Sequence, residues 1–284
     1  NLASRVTGFV RMILILAVLG PAVASAFNTA NTLPNMITEL VLGSVLTAMF
    51  IPLLARSAQE DADGGVMFVR RLLTLAAVVA FGATVVAVAC APLLTELNLG
   101  DGEVNTDLAT AFAFLLLPQI FFYGVFSVLL AVLNYNGVFA PGAWAPVWNN
   151  LVAIATLVLF AVVGSGLDPA APVNILSPAI LLLGLGTTAG VVVQALVLVP
   201  SLRRVGVDLR PLWGIDPRLR QFGGSALAGF AYVLISQVGL VMTNRIGAAA
   251  DEAAIAIYQT HWLLLQVPYG IIGVTLLTAI NPRL

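Results

Sequence analysis

Apolar runs about as long as a bilayer is thick alternate along this chain with short polar connections. A spanning helix needs about 20 mostly apolar residues, and eight stretches meet that standard. The first runs from about Arg5 to Ala26 and the second from about Leu33 to Ala55, with the polar Asn28 to Asn31 between them. The loop Gln59 to Gly65 precedes a third helix, Arg71 to Leu94. Leu108 to Leu167 then carries no charge and is too long for one span, and Asn134-Tyr135-Asn136-Gly137 is a turn signal inside it. Division there predicts a fourth helix, Leu108 to Leu133, and a fifth, Pro141 to Val163. After the loop Gly164 to Ser177, a sixth is predicted from Pro178 to Pro200, a seventh from Gln221 to Asn244 and an eighth from Ala253 to Ile280. The fold class is therefore all-α and polytopic, with residues 1–205 as one lobe of six helices and 206–284 as a linker and the start of a second.

Charge changes this picture at a few positions only. The chain of 284 residues is 60% hydrophobic and 9% charged, against about 25% charged in an average soluble domain. All twelve basic residues are Arg, and nine of them, Arg56, Arg70, Arg71, Arg203, Arg204, Arg210, Arg218, Arg220 and Arg283, fall on one side of the predicted topology. The positive-inside rule then predicts a cytoplasmic N-terminus. A net charge of -1 argues against a nucleic-acid partner, which needs a basic surface. The single cysteine, Cys90, lies in an apolar run and suits a packing role. The start has no signal-peptide pattern, and the end, Asn281 to Leu284, stops without a tail, so the chain is expected to be a piece of a longer protein.

Arg5, Arg11 and Glu39 lie within the first two hydrophobic segments. A charge near the bilayer centre costs about 2.5–3.5 kcal/mol on insertion scales, so such residues usually face a partner or a water-filled cavity. Arginine offers a planar fork of donors that matches phosphate oxygens, which makes an anionic head group the natural ligand of such a cavity. Six residues apart, the two arginines lie about 120° from each other around a helix, so their long arms must converge to share a ligand. The blander alternative for Arg5 is snorkelling to the head groups. Glu39 is expected either to pair with Arg11, to take part in ion coupling, or to hold the first two helices in register. His261 and Gln266 are the polar positions of the eighth helix, about 140° apart around it. With no second histidine, a histidine-based metal site is excluded.

Asn149, Asn150, Gln119, Gln194 and Gln237 are expected to hydrogen-bond between helices. Gly184-Leu-Gly186-Thr-Thr-Ala189 fits a dinucleotide-binding pattern by its letters, but no strand precedes it. Gly186 and Gly190 instead form a GxxxG packing pair, as Ser225 and Gly229 form a small-xxx-small one. Pro92, Pro118, Pro146 and Pro268 are expected to mark bends or helix ends. No catalytic constellation or cofactor motif is present. Gly43 to Leu54 and Gly273 to Leu284 share a Gly to Pro spacing and four identities in twelve positions, which suggests a weak internal repeat. Repeated lobes with a site between them are a common transporter plan.

SRVTGFVR at the start, Ala26-Phe27, the LPN of Leu33 to Asn35, FIPLL at Phe50 to Leu54 and VPYGIIGVTLLTAINPRL at Val267 to Leu284 resemble signatures of the MurJ (MviN) family of lipid II flippases, in the multidrug/oligosaccharidyl-lipid/polysaccharide exporter superfamily. The resemblance implies about fourteen helices in two lobes around a central cavity, with helices one, two, seven and eight lining it. The implied cargo is an undecaprenyl-diphosphate-linked peptidoglycan precursor. Arg5 and Arg11 match the two family arginines associated with the cargo diphosphate, and Asn35, Glu39, His261 and Gln266 complete the candidate binding set. Ser25 stands where many members carry an acid, Thr38 and Glu39 where a basic pair often follows LPN, and Leu263 where the eighth helix usually has an arginine. The implied partners are lipid II, membrane lipids and cell-wall synthesis proteins, and the implied location is the bacterial inner membrane. Two other functions fit the same features: a different exporter of the superfamily, for a polyprenyl-linked sugar or a drug, and a non-transporting membrane scaffold.

Overall fold

A computed structural model describes residues 2–43, 53–164, 166–168, 172–214, 216–218 and 223–268. The first hydrophobic run forms α1 (Leu2–Leu19), which ends at Gly20, and Pro21 then opens α2 (Pro21–Thr38). Gly20 has φ 74°, which only glycine adopts without strain, and Pro21 sits in a first turn where its missing N–H costs nothing. The expected break at Asn28 to Asn31 is therefore wrong. Those residues are mid-helix, with Asn28 and Thr29 buried. Hydroxyls one turn apart return to the helix backbone, Thr29 Oγ1 donating to Ser25 O at 2.9 Å and Thr32 Oγ1 to Asn28 O at 2.8 Å, so the polar run does not break the helix. A turn of π-helix, Glu39–Gly43, ends the described part of this segment.

After a helical stretch at 53–60, Asp63 starts α3 (Val66–Ala89) by accepting from Gly65 N at 3.1 Å and Met67 N at 2.7 Å. These bonds hold its carboxyl below the usual range. The predicted third helix breaks at Cys90, before α4 (Ala91–Leu99) with Pro92 in its first turn. The predicted fourth helix becomes α5 (Thr106–Leu116) and α6 (Gln119–Tyr135), bent by 44° at Pro118. The fifth is α7 (Ala140–Val163), which runs through Pro146 unbroken. The sixth is α8 (Pro178–Leu196) continued by α9 (Val199–Arg204). α10 (Gly223–Ala250) extends beyond the expected Asn244, and α11 (Ala254–Pro268) follows it.

Among the described residues, α1, α3, α7, the Pro178–Arg204 run and Leu227–Ala250 within α10 are each long and apolar enough to cross a membrane, and the bent α5–α6 pair makes a sixth span. The expected second and eighth spans continue into 44–52 and 269–284, outside the described residues, as do both arms of the suggested repeat.

Two apolar cores hold the bundle. One gathers Ile15, Leu19, Phe27, Phe112, Leu116 and Leu183 with Ala248 and Ile255. The other, at the arginine-rich end, gathers Leu53, Phe68, Leu72, Leu133, Leu198 and Leu202. From the Gly20–Pro21 turn the first two helices diverge, α1 packing on α7 and α2 on α5. α7 and α8 pack closely because Gly186 faces Thr156 and Gly190 faces Asn149, as the GxxxG reading expects.

At the arginine-rich end, residues 207–214 and 216–218 strap across the start of α3. Arg70 pairs with Asp208 at 3.4 Å and donates to Arg210 O at 2.9 Å, and Leu212 N donates to Thr74 Oγ1 at 2.9 Å. Arg218 binds Asp216 at 2.8 Å and Asp61 at 2.9 Å while lying 5.1 Å over the Phe68 ring. The hydrogen bond from Arg218 holds the Asp216 carboxyl below its usual range. This pairing is thus complete at neutral pH and is lost only as pH falls below the ordinary carboxylate range.

A Cβ at Gly190 would come within 3.0 Å of the Asn149 backbone oxygen, whereas one at Gly82 would meet nothing within 4 Å. In thermal melts, Gly190→Ala should be destabilised by about 1–3 kcal/mol. Gly82→Ala should be unchanged or slightly more stable, because alanine is the better helix former.

Candidate functional site

Polar side chains occupy the level between the two cores. Along α6, Tyr123 lies between Ile120 of one core and Val128 of the other, and along α7 Asn149 and Asn150 lie between Leu157 and Ala145. Gln194 of α8 sits likewise between Leu183 and Leu198. Arg11 projects from α1 just beyond the Leu14–Ile15 edge of the first core.

These side chains meet. Tyr123 lies close enough to Arg11, Asn35 and Asn149 for their charge and amide dipoles to act on it. Asn149 Nδ2 donates to Gln194 Oε1 at 2.8 Å, and Asn150 Nδ2 to Thr7 Oγ1 at 3.1 Å and Ser4 O at 3.2 Å. Gln119 Nε2 donates to Thr188 Oγ1 at 3.1 Å, and Thr188 in turn to Leu115 O at 2.8 Å, beside the Pro118 bend. The glutamines and asparagines thus link helices, as expected from the sequence. Among the described residues no carboxylate pairs with Arg11. A half-buried guanidinium surrounded by neutral hydrogen-bonding groups can receive an anion without first breaking an ion pair.

The other candidate residues sit where the first helices meet α10 and α11. Arg5 Nη1 donates to the backbone oxygen of Gln266 at 3.3 Å. Glu39 does not pair with Arg11. It accepts from Gln237 Nε2 of α10 at 3.2 Å, so the polar partner lies on a different helix from the one expected. His261 is exposed and places Nδ1 2.8 Å from Ile257 O of its own helix. It is not part of the Arg11 cluster. The structure thus gathers Arg11 and Asn35 around Tyr123, and sets Arg5 with Gln266 and Glu39 with Gln237 as two bridges to the later helices. Sequence reasoning did not single out Tyr123, because a tyrosine in an apolar run looks like an ordinary membrane aromatic. Only its four-residue spacing from Gln119 hinted at a shared polar face.

At the opposite end the contact with α10 and α11 is buried. Asn244 Nδ2 donates to Asn98 Oδ1 at 3.0 Å, Glu103 N to Ala248 O at 2.8 Å and Ala256 N to Ser25 Oγ at 3.2 Å. Ser25 thus serves as a helix-to-helix acceptor.

Helices long and apolar enough to span a membrane, one pair of them bent, around an interior polar level define a polytopic membrane protein. The family model of the lipid II flippase MurJ matches residues 15–284, and the chain belongs to that family. It is 27% identical over 297 residues to a probable lipid II flippase MurJ of Vibrio cholerae, covering 100% of this chain and 54% of that protein. It is 29% identical over 298 residues to the lipid II flippase MurJ of Burkholderia cenocepacia, covering 100% and 55%. The chain therefore spans about half the length of the curated relatives it matches. A solved structure titled lipid II flippase MurJ, inward closed conformation, superposes with a TM-score of 0.75 at 17% identity, over 98% of this chain and 56% of that one, and shares its fold.

The two bridging regions yield a direct check on the full-length protein with Cys90 replaced by Ala. The pair Glu39→Cys/Gln237→Cys and the pair Asn98→Cys/Asn244→Cys should both cross-link with a short bifunctional thiol reagent. Cross-linking of the second pair alone would contradict the Glu39 contact.

Proposed function

We propose that this chain is the first lobe, residues 1–205, and the linker and opening of the second lobe, 206–284, of a flippase that moves lipid II across the bacterial inner membrane with its N-terminus in the cytoplasm. The observation that carries this reading is the Arg11 guanidinium in the interior polar level, which has no carboxylate partner among the described residues and lies near Tyr123. A diphosphate presents several acceptor oxygens, and this cluster presents several donors. Membership of the lipid II flippase family supports the same cargo. No bond of the cargo is made or broken.

Unequal contacts among the described residues of the two proposed lobes support alternating access. The end around Asn98 and Ser25 is packed and buried, while the arginine-rich half is closed by the Arg5–Gln266 and Glu39–Gln237 contacts. An ordinary hydrogen bond contributes a net 0.5–1.5 kcal/mol or so, and exposed contacts sit at the low end. Arg5 would exchange its single bond to a backbone oxygen for a charge-assisted bond to phosphate, and in doing so release α11. Cargo arriving from the cytoplasm thus binds the open state better than the closed one, as a ligand-driven shift requires. Arg11 then holds the diphosphate while the lobes rock. His261 and Gln266, on the opposing helix, face the head group as it passes.

The test is translocation in cells depleted of their own flippase and supplied with the full-length protein. Arg11→Ala should lower the appearance of lipid II at the outer surface at least ten-fold, with membrane insertion unchanged. Arg11→Lys should retain an intermediate rate, because it keeps the charge and loses the bidentate fork. Undiminished flipping by Arg11→Ala would overturn the assignment.

A further inference from the structure

The strap and the start of α3 enclose a groove of about 180 Å³ walled by Leu75, Val78, Leu212 and Trp213, with Arg71 at its base. Arg71 Nε is buried and has no hydrogen-bond partner among the described residues. Its arginine neighbours are occupied, Arg70 by Asp208 and the Arg210 carbonyl, Arg218 by Asp216 and Asp61. Asp216, the carboxylate that feels the Arg71 charge, accepts at both of its oxygens from Arg218, at 2.9 and 2.8 Å. Arg71 therefore brings a positive charge to an apolar groove, with Asp216 already engaged by Arg218.

We infer that this groove binds one anionic phospholipid of the cytoplasmic leaflet, with its phosphate on Arg71 and an acyl chain on the outer face of α3. The volume is that of about six waters at 30 Å³ each, enough for a phosphate group and not for a tail. The tail has a track of its own. Val78, Phe81 and Val85 succeed one another at helical spacing and are 44%, 60% and 53% exposed, a continuous apolar stripe leading from the groove along the spanning helix. Trp213 is 77% exposed at the groove's rim, where an indole suits the head-group level. A neutral lipid would fill the same apolar walls and leave the Arg71 charge opposed only by Asp216, which Arg218 already engages, so selectivity resides in the head group. The bound lipid would tie the linker between the lobes to the bilayer, independently of what the central cavity carries.

The test uses Trp213 as the reporter in the full-length protein, its signal being the difference between wild type and Trp213→Phe. Brominated phosphatidylglycerol should quench that signal at a several-fold lower mole fraction than brominated phosphatidylcholine. Arg71→Gln should abolish the preference. Arg203→Gln, exposed on α9, should keep it, and Val78→Glu should weaken quenching by both lipids. Equal quenching by both lipids in the wild type would make the groove a generic apolar contact and overturn the proposal. A preference that survives Arg71→Gln, or that is lost equally in Arg203→Gln, would do the same. Absence of quenching by either lipid would mean that another segment of the protein covers the groove, and would also contradict it.

Discussion

The constraint on which the rest of this structure depends is the cost of holding polar groups at membrane depth. Hydrocarbon supplies no hydrogen bonds, so every donor and acceptor between the two apolar cores must find a partner within the protein or face an aqueous cavity. Asn149, Asn150, Gln119 and Thr188 meet much of that demand with donors that bind across helices and fix α1, α6, α7 and α8 relative to one another, while Gln119 Oε1 and Asn149 Oδ1 are buried without a partner among the described residues. Arg11 meets it differently, near Tyr123 and with no carboxylate partner among the described residues. An arginine neutralised by a buried acid would be bound in place. One held by neutral groups remains available to an anion, which is the chemical basis of the proposed diphosphate site.

The same economy separates the rigid parts from the movable ones. Where α10 and α11 join the first core through Ala248 and Ile255, backbone and amide hydrogen bonds are buried with apolar side chains around them. Towards the arginine-rich end their contact with α1 and with the π turn after α2 is polar and exposed. Gly184 against Leu115 and Gly190 against Asn149 pack α5, α7 and α8 tightly together.

Much of this architecture was legible in the sequence, because hydrophobic run length translates directly into spanning helices. The all-α membrane fold and the family followed from those runs and from the terminal motifs, and both hold. The misplaced first connection shows the limit. Asn28 to Asn31 looked like a loop by polarity, whereas small polar residues can satisfy themselves on their own helix, and the Gly20–Pro21 pair was the stronger breaker. The bend at Pro118 was legible as a proline, but its 44° angle depends on the helices packed around it. Of the candidate site, Arg5, Arg11 and Asn35 were visible as polar groups in apolar runs or as motif residues. Tyr123 was not, and neither was the partner of Glu39, since the contact with Gln237 spans 198 residues and only the folded arrangement of α2 and α10 brings it about.

The central claim is that Arg11 binds the diphosphate of a lipid-linked precursor. The most direct measurement is native mass spectrometry of the full-length protein with lipid II and with undecaprenyl monophosphate, comparing wild type with Arg11→Ala. The account predicts that wild type prefers lipid II, and that the substitution weakens lipid II binding by about an order of magnitude or more, the loss of a charge-assisted pair, with little effect on the monophosphate. Equal lipid II binding by both proteins would contradict it and would make Arg11 a structural residue of the polar level.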